Sequence, residues 1–454
     1  MNSSANAHQL SFPRKVGFAF GDYGCNLYWQ SISIFLLFYY TDAVGLSAAT
    51  AGIVYMIATF FDAALDPLMG MIADRTRTKR GRYRPYLLFG AIPLACAFVF
   101  MFYKPSLAGT ALTLWMLTSH IIFRVAYTVL SIPYTSLNAR LTRSSDERGT
   151  LAGLRIIFAT LAAFTISYTM QPMAARFGEG DLSTGFMFAA MVFAGIATLV
   201  FPVVYFSTKE PEETPATAGT LSLKESLSSV INNRAFWVIM LCMVTGAFVS
   251  ITLDKSLLYY FKYYVQDEAA SRISLSINSA SGLILVPMWV LIAKRFGKRS
   301  SWFICKWLGV IGLLYFIMVD LTTVPATVTF FWFMKVCTIG SAFLFWSMLP
   351  DTVEYGEWRS GIRAESFVFG FGQFCLKMAL GAAAGIFGVL LDTVGYVANE
   401  TQSADTLAGM KTIMIILPMA GLLTGIAAML LHPLKRGVHE SIVEQLAERQ
   451  AASP

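Results

Sequence analysis

The sequence predicts an all-α membrane protein in which twelve transmembrane helices form two halves of six helices each. Its 454 residues are 56% hydrophobic and only 13% charged, with a mean hydropathy of +0.60. A soluble domain does not need such a composition, whereas a bundle of spanning helices does. Apolar runs of about 20 residues, the length that crosses a bilayer, recur between polar loops. The order of spans and basic loops in the first half returns in the second half.

Charge and cysteine content argue against several other classes of protein. The formal net charge is +7, but the basic residues cluster between apolar runs, so cytoplasmic loops explain them and no nucleic-acid partner is predicted. The six cysteines lie within apolar runs without paired spacing, which indicates packing residues and no metal site. No Gly-rich phosphate loop or nucleophile–base set occurs, so we expect neither an enzyme nor a cofactor.

The first half is predicted to end in a polar linker. Its six spans are predicted at 16–40, 48–73, 86–102, 111–137, 150–170 and 186–206. The loop 74–85 is the most basic in the chain, so it is predicted to be cytoplasmic. We therefore expect an N-terminal six-helix bundle at 1–206 and a cytoplasmic linker at 207–233.

The second half repeats this plan. Its spans are predicted at 235–260, 274–292, 302–321, 324–349, 367–394 and 410–431. A basic loop again follows the second span, and the loops near Asp181, Asp267 and Glu400 carry few basic residues and should lie outside. We expect a C-terminal bundle at 234–432 and a tail at 433–454, in a multi-pass protein of the cell inner membrane with both termini cytoplasmic.

Two carboxylates interrupt the otherwise apolar run at 48–71. Asp62 and Asp66 are four residues apart, so they share one helix face, about 6 Å from each other. Each costs roughly 2.5–3.5 kcal/mol at the centre of a span, and a bound cation offsets both desolvation and mutual repulsion. This favours a cation site. The alternative is that one aspartate is a buried ion-pair partner, with Arg124 as the candidate cation, and that the other lies at a helix end near Pro67.

Several motifs carry a resemblance to a known family. They are residues 21–27 (GDYGCNL), 38–42 (FYYTD), 62–67 (DAALDP), 74–85 (DRTRTKRGRYRP), 132–134 (IPY), 351–358 (DTVEYGEW) and 362–366 (IRAES). Together they resemble the glycoside–pentoside–hexuronide:cation symporters of the major facilitator superfamily, over nearly the whole chain. The resemblance implies the major facilitator fold and a transporter that moves sugar and cation by alternating access.

The resemblance also implies a cation site. Asp62 and Asp66 would be the coupling-cation carboxylates, and Thr128 of the fourth span would complete the site. The melibiose-permease branch of the family has an asparagine where this chain has Leu65. A hard cation needs several oxygen ligands and a proton needs one carboxylate, so Leu65 favours H+ as the coupling ion. Na+ at Asp62 and Asp66 remains the alternative.

Departures on the sugar side suggest a different sugar specificity. Where the melibiose branch has two carboxylates, this chain has Asn26 and Ser131, which still donate to and accept from hydroxyls. We expect a glycoside or small oligosaccharide, with hexuronides admissible, and a monomer in the lipid bilayer. The remaining candidates for substrate binding are Asp22, Trp29, Tyr127, Tyr134, Arg155, Gln373 and Lys377. Charge balance for Arg155 and Lys377, and packing for the aromatic residues, are the alternatives.

Charged residues near the ends of other spans are expected to form pairs or gates. A gating network is predicted at Asp351, Glu354, Glu357 and Arg363, and a solvated charged loop is its alternative. Asp42 matches a structural or gating position of the family. Asp254 and Lys255 are expected to pair locally. A cation exchanger without organic substrate, and a sensor without transport, are the rival functions.

Overall fold

The computed structural model describes residues 10–141, 145–210, 230–435 and 437–452, and these segments contain helices without any strand. The helices of the first half are α1 (Phe12–Phe38), α2 (Ala48–Arg75), α3 (Arg84–Met101), α4 (Gly109–Leu141), α5 (Ser145–Phe177) and α6 (Leu182–Ser207). Those that follow are α7 (Arg234–Tyr259), α8 (Ser271–Phe296), α9 (Lys298–Met318), α10 (Val324–Ser360), α11 (Glu365–Thr393), α12 (Ala404–Leu430) and α13 (Val438–Ala452). Short π-helical turns, Tyr39–Ala43 and Tyr260–Tyr264, continue α1 and α7.

Eleven of these helices, α2 to α12, are long and apolar enough to cross a membrane. Helix α1 is of similar length, but Asp22, Asn26 and Gln30 make it more polar. Each of the twelve predicted spans overlaps one of the helices α1 to α12. Large apolar side chains such as Leu199, Phe206 and Met318 are exposed. Such side chains suit contact with lipid, so the chain is a multi-pass membrane protein.

The chain divides into two compact units. The first consists of Met1–Thr214 with Phe261–Leu283 and Gly385–Ser403, and the second contains the remainder. Within the first unit, α1 packs on α5 and α6, while α4 packs on α2 and α3. Gly21 lets α1 approach α4, because a Cβ at this position would lie 2.5 Å from Cε2 of Tyr134.

A buried carboxylate joins three distant segments of the first unit. Asp42 lies in the π turn after α1, and Lys262 Nζ donates to its Oδ1 at 2.7 Å. Tyr396 OH donates to its Oδ2 at 2.7 Å, and Tyr263 OH also donates to Oδ1. Asn399 donates to the Asp42 backbone carbonyl at 2.8 Å. These contacts explain why the segments that contain Lys262 and Tyr396 group with the first six helices.

The second unit centres on α7, which packs on α10 and α12, with α9 against both of these helices. Helix α13 lies against α10, and Tyr355 and Trp358 of α10 pack on an apolar cluster that contains Ala235, Leu434 and Ile442. Trp358 Nε1 donates to Gln445 Oε1 at 2.8 Å and reinforces this contact. The segment predicted as a tail therefore contains an ordered helix.

Asp254 has an ion-pair partner that differs from the predicted one. Lys335 Nζ of α10 lies 2.9 Å from Asp254 Oδ1. Neighbouring residues on a helix do not face each other, so a helix that packs alongside supplies a better partner than Lys255.

Candidate functional site

Asp62 and Asp66 of α2 meet one hydroxyl of α4. Thr128 Oγ1 lies 2.9 Å from Asp62 Oδ1 and 3.4 Å from Asp66 Oδ1. A hydroxyl has one proton, so Thr128 donates to one carboxylate at a time. Asp62 is fully buried and Asp66 is partly exposed. The predicted association of these three side chains is confirmed, while their role as a cation site stays a prediction.

Prolines interrupt the helix backbone beside these residues. Pro67 follows Asp66 in α2, and Pro133 lies five residues after Thr128 in α4. A proline has no N–H, so the carbonyl four residues earlier loses its helix hydrogen bond. In a membrane such groups are tolerated where they are buried in protein or line a polar cavity. The backbone therefore supports a polar site at this level.

A buried arginine faces Asp62, as the ion-pair alternative predicted. Arg124 Nη1 lies 3.4 Å from Asp62 Oδ2, and the two side chains are 1% and 0% exposed. Arg124 Nε donates to His120 Nε2 at 3.1 Å, and Nη2 donates to Thr59 Oγ1 at 3.4 Å. The guanidinium also lies over the Trp29 ring, 5.5 Å from its centroid. The carboxylate pair and the ion pair thus coexist at one site.

A second polar cluster links α1, α4 and α5. Arg155 Nε donates to Asp22 Oδ2 at 2.5 Å, and Arg155 Nη2 donates to Oδ1 at 3.2 Å. Tyr134 OH donates to the same Oδ2 at 2.6 Å. The Tyr134 ring is 1% exposed, so its faces are covered, which fits the packing alternative. Arg155 balances Asp22 here and stays partly exposed.

The other candidates of the first unit lie between these clusters on α1 and α4. Trp29 and Tyr127 are partly exposed, and their ring centroids are 6.2 Å apart. Asn26 and Ser131 are also partly exposed, and Asn26 donates to the Asp22 carbonyl at 2.9 Å. Their exposure suits contact with a ligand, so their substrate role stays a prediction.

Two candidates belong to the second unit. Gln373 and Lys377 lie one turn apart on α11, so they share a helix face as predicted. Gln373 is exposed and Lys377 is partly exposed. Their contact with substrate stays a prediction.

The predicted gating residues form contacts within the second unit. Lys298 Nζ lies 2.8 Å from both carboxylate oxygens of Asp351. His439 of α13 contacts Glu354. Arg363 Nη1 pairs with Glu357 Oε2 at 2.8 Å, and this hydrogen bond raises the pKa of Arg363. These pairs favour an ordered network over a solvated loop, and its gating role stays a prediction.

Sequence reasoning missed several partners that complete these clusters. His120 lies one turn before Arg124, and this spacing alone could have revealed it. Lys298 and His439 reach Asp351 and Glu354 from other helices, and Lys262 reaches Asp42 from the turn after α7. No short-range spacing signals such contacts.

Comparisons with known proteins agree with this architecture. The family described as "MFS/sugar transport protein" matches residues 17–436. The isoprimeverose transporter of Lactiplantibacillus pentosus is 30% identical, over 99% of this chain and 94% of the relative. A putative glycoside/cation symporter, YagG of Escherichia coli strain K12, is 28% identical, over 98% and 96% of the two chains.

A solved structure shares the fold. The crystal structure of the nucleoside transporter NupG superposes with a TM-score of 0.65, over 93% of this chain and 100% of the other, at 15% identity. At this identity the likeness concerns the fold alone.

Proposed function

We propose that this chain imports a glycoside or small oligosaccharide together with a proton. The chain belongs to the MFS/sugar transport protein family, and within it to the glycoside–pentoside–hexuronide:cation symporters. Proteins of this family are membrane transporters and not enzymes. The observation that carries the proposal is the pair of intramembrane carboxylates, Asp62 and Asp66, that share the Thr128 hydroxyl. Placing an ionised carboxylate within a membrane span costs free energy, and such residues usually have a functional role.

The ion is proposed to be a proton on chemical grounds. The described contacts bring together two carboxylates and one hydroxyl, and Leu65 beside them supplies no oxygen. A sodium ion without further oxygen ligands would be poorly coordinated, whereas a proton requires one carboxylate oxygen.

The substrate is proposed to bind between the two polar clusters. Asn26 and Ser131 would fix the orientation of the ring through its hydroxyls, and Arg155 would donate to hydroxyl or carboxylate oxygens. Lys377 of the second unit keeps its proposed role as a donor to substrate oxygens. Trp29 would stack on the apolar ring face. The sugars named for relatives, isoprimeverose first among them, guide the choice of substrate to test. The protein would act as a monomer by alternating access in the inner membrane, with both termini cytoplasmic.

One experiment tests sugar and ion together. Cells that express the protein are de-energised and lightly buffered, and isoprimeverose, a neutral glucoside or a hexuronate is added. A proton symporter alkalinises the medium only when a transported sugar is added, and cells that lack the protein show no change. If sugar enters without any alkalinisation, the proton assignment is wrong. If no sugar of these classes enters, the substrate assignment is wrong.

A further inference from the structure

Arg124 is a resident cation in the proposed ion site. Its side chain is 1% exposed, and its guanidinium contacts Asp62, His120 and Thr59 and lies over Trp29. A buried ion needs an opposite charge and further hydrogen bonds, and these contacts provide both. These contacts therefore hold the Arg124 guanidinium in a defined position beside Asp62.

Each carboxylate oxygen of Asp62 contacts a polar group of α4. Its Oδ2 faces Arg124 Nη1 at 3.4 Å, and its Oδ1 faces the Thr128 hydroxyl at 2.9 Å. Asp62 and Asp66 are separated by one helical turn. An inorganic cation that bound between their carboxylates would therefore lie within a few ångströms of the Arg124 guanidinium. Like charges at that spacing repel strongly in a buried site.

The charge of the remaining groups near Asp62 completes the electrostatics of the site, and Asp66 supplies a second negative charge there. His120 Nε2 accepts from Arg124 Nε at 3.1 Å, so this nitrogen carries no proton and the imidazole is neutral. Among the described residues, the titratable groups near Asp62 include Asp66 and Tyr55 of α2, His120, Arg124 and Tyr127 of α4, and Tyr40 of the π turn, whose ring lies against His120.

We propose that Arg124 selects the coupling ion: it occupies Asp62 as a tethered cation, excludes sodium, and leaves the partly exposed Asp66 to carry the proton. This inference rests on the proposed function, since it names the group that sets the ion specificity of the same site. The Arg124 contact and the absence of a side-chain oxygen at Leu65 both favour a proton over sodium. Neutralising Arg124 should then open the carboxylate pair to sodium.

The test compares the melting temperature Tm of purified protein in NaCl and in choline chloride of equal concentration. We expect no sodium effect in the wild type. In Arg124→Met, which keeps the apolar stem and removes the charge, sodium should raise Tm by roughly 2–4 °C, because an ion that binds the folded state stabilises it. Arg124→Lys is the matched control: it keeps the charge and should not respond to sodium.

A double variant guards against misfolding. Arg124→Met with Asp62→Asn removes both charges, so it should fold and stay insensitive to sodium. A sodium response of the wild type, or a folded Arg124→Met without one, overturns the proposal. If Arg124→Met does not fold, Arg124→Gln replaces it, because glutamine keeps hydrogen-bond donors without the charge and should show the same sodium response. If sugar addition moves no protons but Arg124→Met gains a sodium response, the transport proposal fails and the role of Arg124 stands.

Discussion

Asp62 and Asp66 lie one helical turn apart, yet the structure gives them different environments. Asp62 is 0% exposed and faces the Arg124 guanidinium, while Asp66 is partly exposed. Removing one partner of a buried pair leaves an uncompensated charge, so we expect Asp62 to contribute to stability through its pair with Arg124. The proposed mobile proton is assigned to Asp66, whose side chain is partly exposed. The two carboxylates should therefore respond differently to the same substitution.

The first prediction separates these roles. Asp62→Asn should lower the free energy of unfolding by about 3–5 kcal/mol, because Arg124 loses its counter-charge. Asp66→Asn should leave Tm nearly unchanged and abolish uphill accumulation of sugar, while sugar exchange persists. Thermal unfolding and uptake assays on both variants check this. Equal Tm losses in the two variants, or accumulation at the wild-type level in Asp66→Asn, would contradict the assignment.

The second prediction concerns the sugar. Arg155→Ala should weaken sugar binding about tenfold or more, since hydrogen bonds that involve a charged group contribute roughly 1.5–3 kcal/mol. Asn26→Ala should weaken it about fivefold, since a neutral hydrogen bond contributes about 1 kcal/mol. Proton binding at Asp66 should change less. Calorimetric titration with sugar at two pH values measures both effects. Unchanged sugar affinity in both variants would place the sugar elsewhere in the bundle.

Among individual residues, spacing along one helix predicted the side-chain arrangement most reliably. It placed Asp62 and Asp66 on one face and suggested Arg124 as a partner. The partner of Asp254 was not predictable, because Lys335 lies on another helix whose rotation about its axis is not encoded locally. For the same reason the sequence left both packing and substrate contact open for Tyr134, whose ring is covered in the structure.

Helix α1 illustrates how an element positions the site. Its Gly21 leaves space for the Tyr134 ring, and that ring in turn holds Asp22. A larger residue would push α1 away from α4 or displace the tyrosine. The geometry of the Asp22 cluster therefore depends on the absence of a side chain one residue earlier.

The third prediction tests this packing. Gly21→Ala should lower Tm and weaken sugar binding, because the new Cβ would lie 2.5 Å from Tyr134 Cε2. Gly195→Ala is the matched control, since a Cβ there meets nothing within 4 Å and alanine favours a helix by about 0.5–1 kcal/mol. Thermal unfolding and calorimetry distinguish the two. If both variants behave like the wild type, the close approach of α1 is not required.

The sequence predicted the elements better than their ends. Hydrophobic runs identify the membrane-embedded part of a helix, so α10 was predicted to stop at 349, whereas it continues to Ser360. The extension is polar and ends at Gly361, which adopts a left-handed conformation with φ 73°. Helix α13 was not predicted because its apolar residues are few, and its packing against α10 helps to stabilise it.

At the scale of the whole molecule, Asp42 connects segments that are far apart in sequence. Lys262 and Tyr396 both donate to its carboxylate, and they follow α7 and α11 respectively. Alternating access requires contacts of this kind to form in one state and break in another. The motif around Asp42 indicated a structural or gating residue, but its distant partners were not visible in the sequence.

The fourth prediction concerns this contact. Asp42→Asn weakens the three hydrogen bonds that Lys262, Tyr263 and Tyr396 donate to the charged carboxylate. Backbone amides in the turn Tyr260–Tyr264 should therefore exchange with deuterium faster. Asp320→Asn is the control, because Asp320 pairs with Lys411 but is 62% exposed. Mass spectrometry of hydrogen exchange compares them. Identical exchange in Asp42→Asn and the wild type would show that the Asp42 carboxylate does not hold this turn in place.

The central claim is that a proton gradient drives sugar uptake through Asp66. It is tested most directly in liposomes that contain only the purified protein, with labelled isoprimeverose outside and either a proton or a sodium gradient imposed. The account predicts uphill accumulation with an acidic exterior, collapse on addition of a protonophore, no accumulation with sodium alone, and none in Asp66→Asn. Accumulation driven by sodium at equal pH, or proton-driven accumulation that survives in Asp66→Asn, would contradict it.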